Sequence, residues 1–236
     1  MNQSPSPLIL NNQDILDYSI NNKITWQELF LFELKSFIGR HFFRERKLPT
    51  IKSELKLLHI GCGFHPNFPD WVNADFFCGF QLKNNNLSSP DWMIDLRYPL
   101  ICPDNFWDGV FTEHTLEHLY PDQVFNLLQE IHRTMRSQAW LRITVPDLQK
   151  YVDYYERRIV NPVFSRWPTG CEAIHSLTQN HRHLSVWDEQ LLARFLKNAG
   201  FINIQKVAFQ EGNDRRICLD QAVRQDETLY MEAQKP

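Results

Sequence analysis

The stretch Leu57-Leu58-His59-Ile60-Gly61-Cys62-Gly63 constrains this chain more than any other. A short apolar run enters a turn containing two glycines, and Trp71-Val72-Asn73-Ala74-Asp75 follows, closing on an acid. The pair reads as a buried strand, a tight turn, and a second strand with a carboxylate at its tip. Glycine reaches positive φ and lets backbone approach a ligand closely. An acid at the end of the next strand is where α/β sheets bind ribose hydroxyls. Asp75 lies only 14 positions after Gly61, whereas a full βαβ unit takes about 30 residues. The first crossover helix is therefore expected to be vestigial. That argues against a dinucleotide, whose pyrophosphate wants a helix N-terminus behind the glycines, and for a ligand without phosphates.

From residue 55 short apolar runs alternate with helical patterns, as in a parallel sheet with crossover helices. The runs are 57–60, 71–77, 92–94, 107–112, 140–145, 202–209 and 228–233. Pro121-Asp122 opens a helix with Val124, Leu127, Leu128, Ile131 and Met135 on one face. A second helix is expected over 188–199, closed by Gly200. Upstream, residues 1–22 are polar and read as a loosely ordered start. Thr25 and Glu28 have capping-box spacing and predict a helix through about Arg46, with Trp26, Leu29, Phe30, Leu34, Phe37, Ile38 and Phe42 at helical intervals. Its acids Glu28, Glu33 and Glu45 dilute the basic end, which favours packing on its own domain over lying on a membrane surface. A place in the wall of the site is open to it. The chain thus divides into a helical extension, 1–50, and an α/β domain, 51–236.

Composition narrows the function classes. A net charge of −3 advertises no nucleic-acid partner, and no basic groove is interleaved with aromatics. The five cysteines, Cys62, Cys78, Cys102, Cys171 and Cys218, form no Cys-x-x-Cys pair, which argues against a disulfide framework and a thiolate zinc site. No signal-like segment and no membrane-length apolar run is visible, so a cytoplasmic location is expected.

Five stretches, in order, resemble the class I S-adenosylmethionine-dependent methyltransferases, in particular a small bacterial branch. They are Gly61-Cys62-Gly63 with Trp71-Val72-Asn73-Ala74-Asp75; Ile94-Asp95-Leu96-Arg97-Tyr98-Pro99-Leu100; Trp107 to Leu119, containing Glu113-His114-Thr115-Leu116-Glu117-His118; Glu130-Ile131-His132-Arg133 through Val145-Pro146-Asp147-Leu148; and His181-Arg182-His183 ahead of Leu191 to Phe201. The similarity spans about residues 55–236. One departure is Ser137-Gln138-Ala139, standing where the family has Pro-Gly-Gly.

The resemblance implies a Rossmann-like, seven-stranded, mostly parallel sheet with helices on both faces and the last strand antiparallel. It implies S-adenosylmethionine as cofactor. Gly61, Cys62 and Gly63 would meet its methionine portion, Asp75 the ribose hydroxyls, Asp95 the adenine amino group, and the Leu96 N–H a ring nitrogen. Glu113 and His114 would line the place where the methyl group leaves sulfur, His114 as candidate base and Glu113 as second choice or orienting partner. His175, His181, Arg182, His183, Tyr151, Tyr154, Tyr155 and Trp167 fall in a long excursion, 148–187, of the kind that forms lids and substrate walls, although local packing is the commoner role of such aromatics. The acceptor is expected to be a small molecule, glycan or lipid precursor; the oligomeric state is not readable. Two rival readings stand beside this one. A methyltransferase-like fold can bind a partner or cofactor without turnover. His114-Thr115-Leu116-Glu117-His118 also spells the inverted zinc-peptidase motif, against which Pro121 follows too soon for a long ligand helix.

Overall fold

The computed structural model describes residues 25–42, 48–51, 53–63, 68–76, 90–158 and 162–236. Seven strands form one sheet: β1 (Leu57–Ile60), β2 (Trp71–Asp75), β3 (Trp92–Met93), β4 (Trp107–Glu113), β5 (Met135–Pro146), β6 (Ile202–Lys206) and β7 (Thr228–Gln234), in the order 3-2-1-4-5-7-6. The first five pair in parallel. β7 runs antiparallel between β5 and β6, as expected. All four residues of β1 are buried, as a strand covered on both faces requires. None of the described residues between β1 and β2 is helical, in keeping with the short spacing. Phe64, His65 and Pro66 lie outside the described residues, as do the polar start and the end of the 71–77 run.

Five α-helices accompany the sheet among the described residues. α1 (Trp26–Phe42) has the expected capping box, with Glu28 N–H donating to Thr25 Oγ1 at 3.2 Å and Thr25 N–H to Glu28 Oε2 at 2.9 Å. α2 (Pro121–Thr134) buries Val124, Leu127, Leu128 and Ile131, and α5 (Glu189–Asn198) buries Leu192 and Leu196. Gly200, at φ 101°, closes α5 in the left-handed conformation. α3 (Leu148–Tyr155) and α4 (Gly170–Gln179) build the excursion between β5 and α5. They enclose a satellite core of Tyr151, Phe164, Ala173 and Leu177, packed by Tyr154 and Trp167. The excursion aromatics are thus largely local packing.

Two features differ from expectation. β5 begins at Met135 instead of near 140, because Ser137-Gln138-Ala139 continues as strand where Pro-Gly-Gly would turn. The extra residues are taken up by a bulge opposite Trp107–Gly109 and by Gln138 at φ 68°. In α1 the contact face is not the aromatic one: Ser36 and Gly39 are buried, whereas Trp26, Phe30 and Phe42 are exposed.

Inside β5, Arg142 is fully buried and ion-paired with Asp220 (2.5 Å) and Glu232 (2.9 Å), both also fully buried. It donates further to the carbonyls of Ala208 and Glu211. His132 stands edge-on to Phe201 at 5.0 Å, and His183 lies against Leu177. Burial holds both imidazoles below the usual histidine range. A depressed folded-state value means that the unfolded chain takes up protons which the native rings refuse. Their contribution is therefore present above about pH 6.5 and lost as pH falls through the folded values. Urea unfolding between pH 7.5 and 5.5 is expected to show stability falling with pH, with a shallower slope in His132→Gln; an unchanged slope in that variant would remove His132 from the account.

Candidate active site

The site gathers at the carboxyl ends of the parallel strands, where the order reverses between β1 and β4, the usual ligand crevice of an open α/β sheet. Gly61 and Gly63 stand at φ 75° and 60°. The N–H groups of Gly61 and Cys62 donate to the Ala74 carbonyl at 2.8 and 3.2 Å. Asp75 closes the turn, accepting from Gly63 N–H at 2.5 Å and from Phe76 N–H at 2.6 Å. A Cβ at residue 61 would lie 1.8 Å from Thr115 Oγ1, so the β1 turn is pressed directly against the segment after β4. The glycine turn, Asp75 and the start of the Glu113–His118 segment are thus brought together.

Asp95 is buried, and α1 reaches it. Ser36 Oγ donates to its Oδ2 at 2.5 Å, and Arg97 holds both carboxylate oxygens at 2.7–3.2 Å. Burial opposes its charge, but the Arg97 and Ser36 hydrogen bonds prevail and hold the carboxyl below the usual range. Arg97 also pairs with Glu33 at 2.5 Å, and Phe32 stacks on Phe76 at 4.5 Å. Arg40 lies 3.6 Å over the Tyr98 ring. At its other end α1 ties to the excursion through Glu28 and Arg182 at 2.9 Å. The helix therefore spans the crevice from the Asp95 side to residue 182. Leu96 is half-buried against the main core.

Glu113 and His114 diverge. Glu113 is buried, and its Oε1 accepts from Gln221 N–H at 3.0 Å; burial pushes its carboxyl above the usual range. His114 stands at φ 48°, a left-handed backbone unusual for a non-glycine residue. The turn sends its ring into a cavity of about 1180 Å³ whose lining includes Glu117, His118, Tyr151, Trp167, His183 and Arg224, but not Glu113. The Thr228 hydroxyl donates to the Arg224 carbonyl at 2.7 Å and lies 2.8 Å from His114 Nε2. With its proton committed, that hydroxyl accepts from Nε2–H, while His114 Nδ1 faces Glu117 Oε1 at 3.2 Å, an ion pair when the ring is protonated.

His181, Arg182 and His183 also line this cavity, whereas His175 is exposed on α4 and does not. Residues 116–118 form a single 3-10 turn after β4. His114 and His118 are therefore not successive turns of one helix, and the inverted-peptidase geometry is not formed. Glu117 and Glu227 also line the cavity, and the sequence reading gives them no role. For Glu117 the signal was available: it stands between two histidines directly behind a strand end.

Residues 37–206 match a family model described as a methyltransferase domain. The chain belongs to that family. Its cofactor is accordingly S-adenosylmethionine, and the glycine turn with Asp75 folded over it, with no helical residue among those described between β1 and β2, fits a cofactor without phosphates. No curated protein matches the chain. Among solved structures, a SAM-dependent methyltransferase from Archaeoglobus fulgidus is similar at 18% identity, covering 89% of this chain and 100% of its own, with a TM-score of 0.45. A SAM-dependent methyltransferase from Thermotoga maritima is similar at 12% identity, covering 94% and 99%, with a TM-score of 0.47. Phosphoethanolamine N-methyltransferase 2 from Haemonchus contortus is similar at 13% identity, covering 96% and 57%, with a TM-score of 0.41.

Proposed function

We propose that this methyltransferase transfers a methyl group to a polar small molecule, glycan or lipid precursor held in the cavity beside His114. The observation that carries this reading is the cavity's position: it opens next to the segment that packs on the glycine turn, and its wall mixes Arg166, Arg182, Arg224 and Glu227 with Tyr151 and Trp167. Such a lining suits a hydroxyl-bearing acceptor with one flat or apolar face. Bound S-adenosylmethionine supplies a methyl group already activated as a sulfonium.

The protein's part is alignment and proton removal. Gly61, Cys62 and Gly63 bring backbone to the methionine end of the cofactor, and Asp75 accepts the ribose hydroxyls. Asp95, oriented by Ser36 and Arg97, and the Leu96 N–H serve the adenine end. His114 is the proton acceptor, with Glu117 beside its Nδ1 to balance the charged ring. Glu113, buried and bound to the Gln221 amide, positions the β4 terminus on the cofactor side. We further place residues 1–50 as an extension to a catalytic domain, 51–236, with α1 acting as the wall across the adenine end.

Calorimetry with S-adenosylmethionine and S-adenosylhomocysteine tests the cofactor half. Micromolar binding is expected. Asp75→Ala should weaken it by roughly 100-fold or more, the worth of one or two hydrogen bonds to a charged group. Wild-type affinity in a folded Asp75→Ala protein would refute the ribose assignment.

A further inference from the structure

The excursion and the segment after β4 assemble a second set of ligands inside the cavity. Glu117 Oε, a His118 ring nitrogen and a His183 ring nitrogen all lie within 4.8 Å of one another. Glu117 is the decisive member. Its side chain is 1% exposed, yet neither carboxylate oxygen receives a hydrogen bond. Its near partners are imidazoles: His114 Nδ1 at 3.2 Å, an ion pair when that ring is protonated, and His183 Nε2 at 4.0 Å. A buried carboxylate is costly unless a cation meets it.

His183 is set up as an acceptor. His183 Nδ1 lies 2.6 Å from the Leu177 carbonyl, so Nδ1 carries the proton and Nε2 faces Glu117 as a lone pair. Anchoring of the far ring nitrogen on a carbonyl is the arrangement that orients metal-ligating histidines. His114 is fixed through Thr228, with its Nδ1 toward Glu117. The backbone is bent to make this arrangement. His114, His181 and Arg182 all stand at positive φ, 48°, 58° and 63°, strain of a kind that persists at functional sites. Two more bonds clamp the parts, from the Leu184 and Ser185 N–H groups to the Glu117 carbonyl.

We propose that Glu117, His118 and His183 bind one divalent transition-metal ion of the zinc class in the wall of the cavity. Two imidazoles and a carboxylate match zinc preferences, with bonds of about 2.0–2.2 Å. His118 is exposed, with its ring 5.0 Å from that of His183 and edge-on to it. Three protein ligands leave a tetrahedral ion a fourth position, open to an acceptor hydroxyl, whose pKa the ion lowers beside the His114 nitrogen. That last role rests on the methyl-transfer reading; the site itself does not.

The test is a cobalt(II) titration of the full chain after chelator treatment, followed by zinc competition. The expected result is ligand-field absorption saturating at one equivalent, displaced by zinc, and a zinc-induced rise in melting temperature. His118→Ala, at an exposed position, should fold normally and lose at least ~10-fold in metal affinity; His183→Ala should lose the absorption bands. Absence of stoichiometric binding to folded wild-type protein, or binding unchanged in folded His118→Ala, overturns the proposal. Calorimetry with S-adenosylmethionine on the same metal-free sample separates failure of this site from failure of the cofactor reading.

Discussion

Arg142→Met is expected to destabilise the protein by about 3–5 kcal/mol, because it leaves Asp220 and Glu232 buried without their cation. That is a large share of the roughly 5–15 kcal/mol that separates a native domain from its unfolded chain. The guanidinium does more than neutralise two acids. Its hydrogen bonds to the Ala208 and Glu211 carbonyls pin the loop leading from β6 toward residue 221. The Gln221 amide at the end of that loop holds Glu113. Urea unfolding should therefore show the loss in midpoint, and a triple replacement Arg142→Met, Asp220→Leu, Glu232→Met should recover part of it, since an apolar set removes the unpaired charges. A loss below 1 kcal/mol in the single variant would mean that water reaches the acids.

His114→Gln should lower kcat by about 10²–10⁴-fold, the usual worth of a general base, once an acceptor is in hand. Affinity for S-adenosylmethionine should stay near wild type, because His114 faces the cavity and not the glycine turn. Gln keeps a donor for Thr228 and so preserves the local hydrogen bond while removing the proton acceptor. Stopped assays following S-adenosylhomocysteine give kcat and KM separately. A variant with unchanged kcat and a raised KM would reassign His114 to acceptor binding.

Most of the sheet was readable because its strands are short, apolar and well punctuated. The order of the motifs, and not periodicity alone, carried the topology. The capping box at Thr25 and Glu28 stands out before a long apolar pattern and forms; the same signal at Thr169 and Glu172, which starts α4, is hidden in a segment without a long apolar period. Contact partners were less legible. Asp95 was read for adenine, but nothing local says that Ser36, 59 positions upstream, reaches it. Glu113 and His114 are neighbours in sequence, and only the positive φ at His114 reveals that they serve different spaces. The pairing of Glu117 with His183 likewise depends on how α3 and α4 fold back, which no short window of sequence encodes.

The place of β7 has a consequence for how the molecule assembles. Its register partners across β5 are far away in sequence, Trp140 with Gln234 and Pro146 with Thr228, and β6 joins the sheet only through β7. The left half, β3-β2-β1-β4, can pair from nearby segments. The right half must wait for a strand made late in synthesis to slot between two made earlier. Non-local closure of this kind is slow and leaves strand edges uncovered meanwhile. During biosynthesis the chain thus passes through an interval with the β5 edge open, and the Arg142 cluster, one of whose acids is on β7, cannot form until that interval ends.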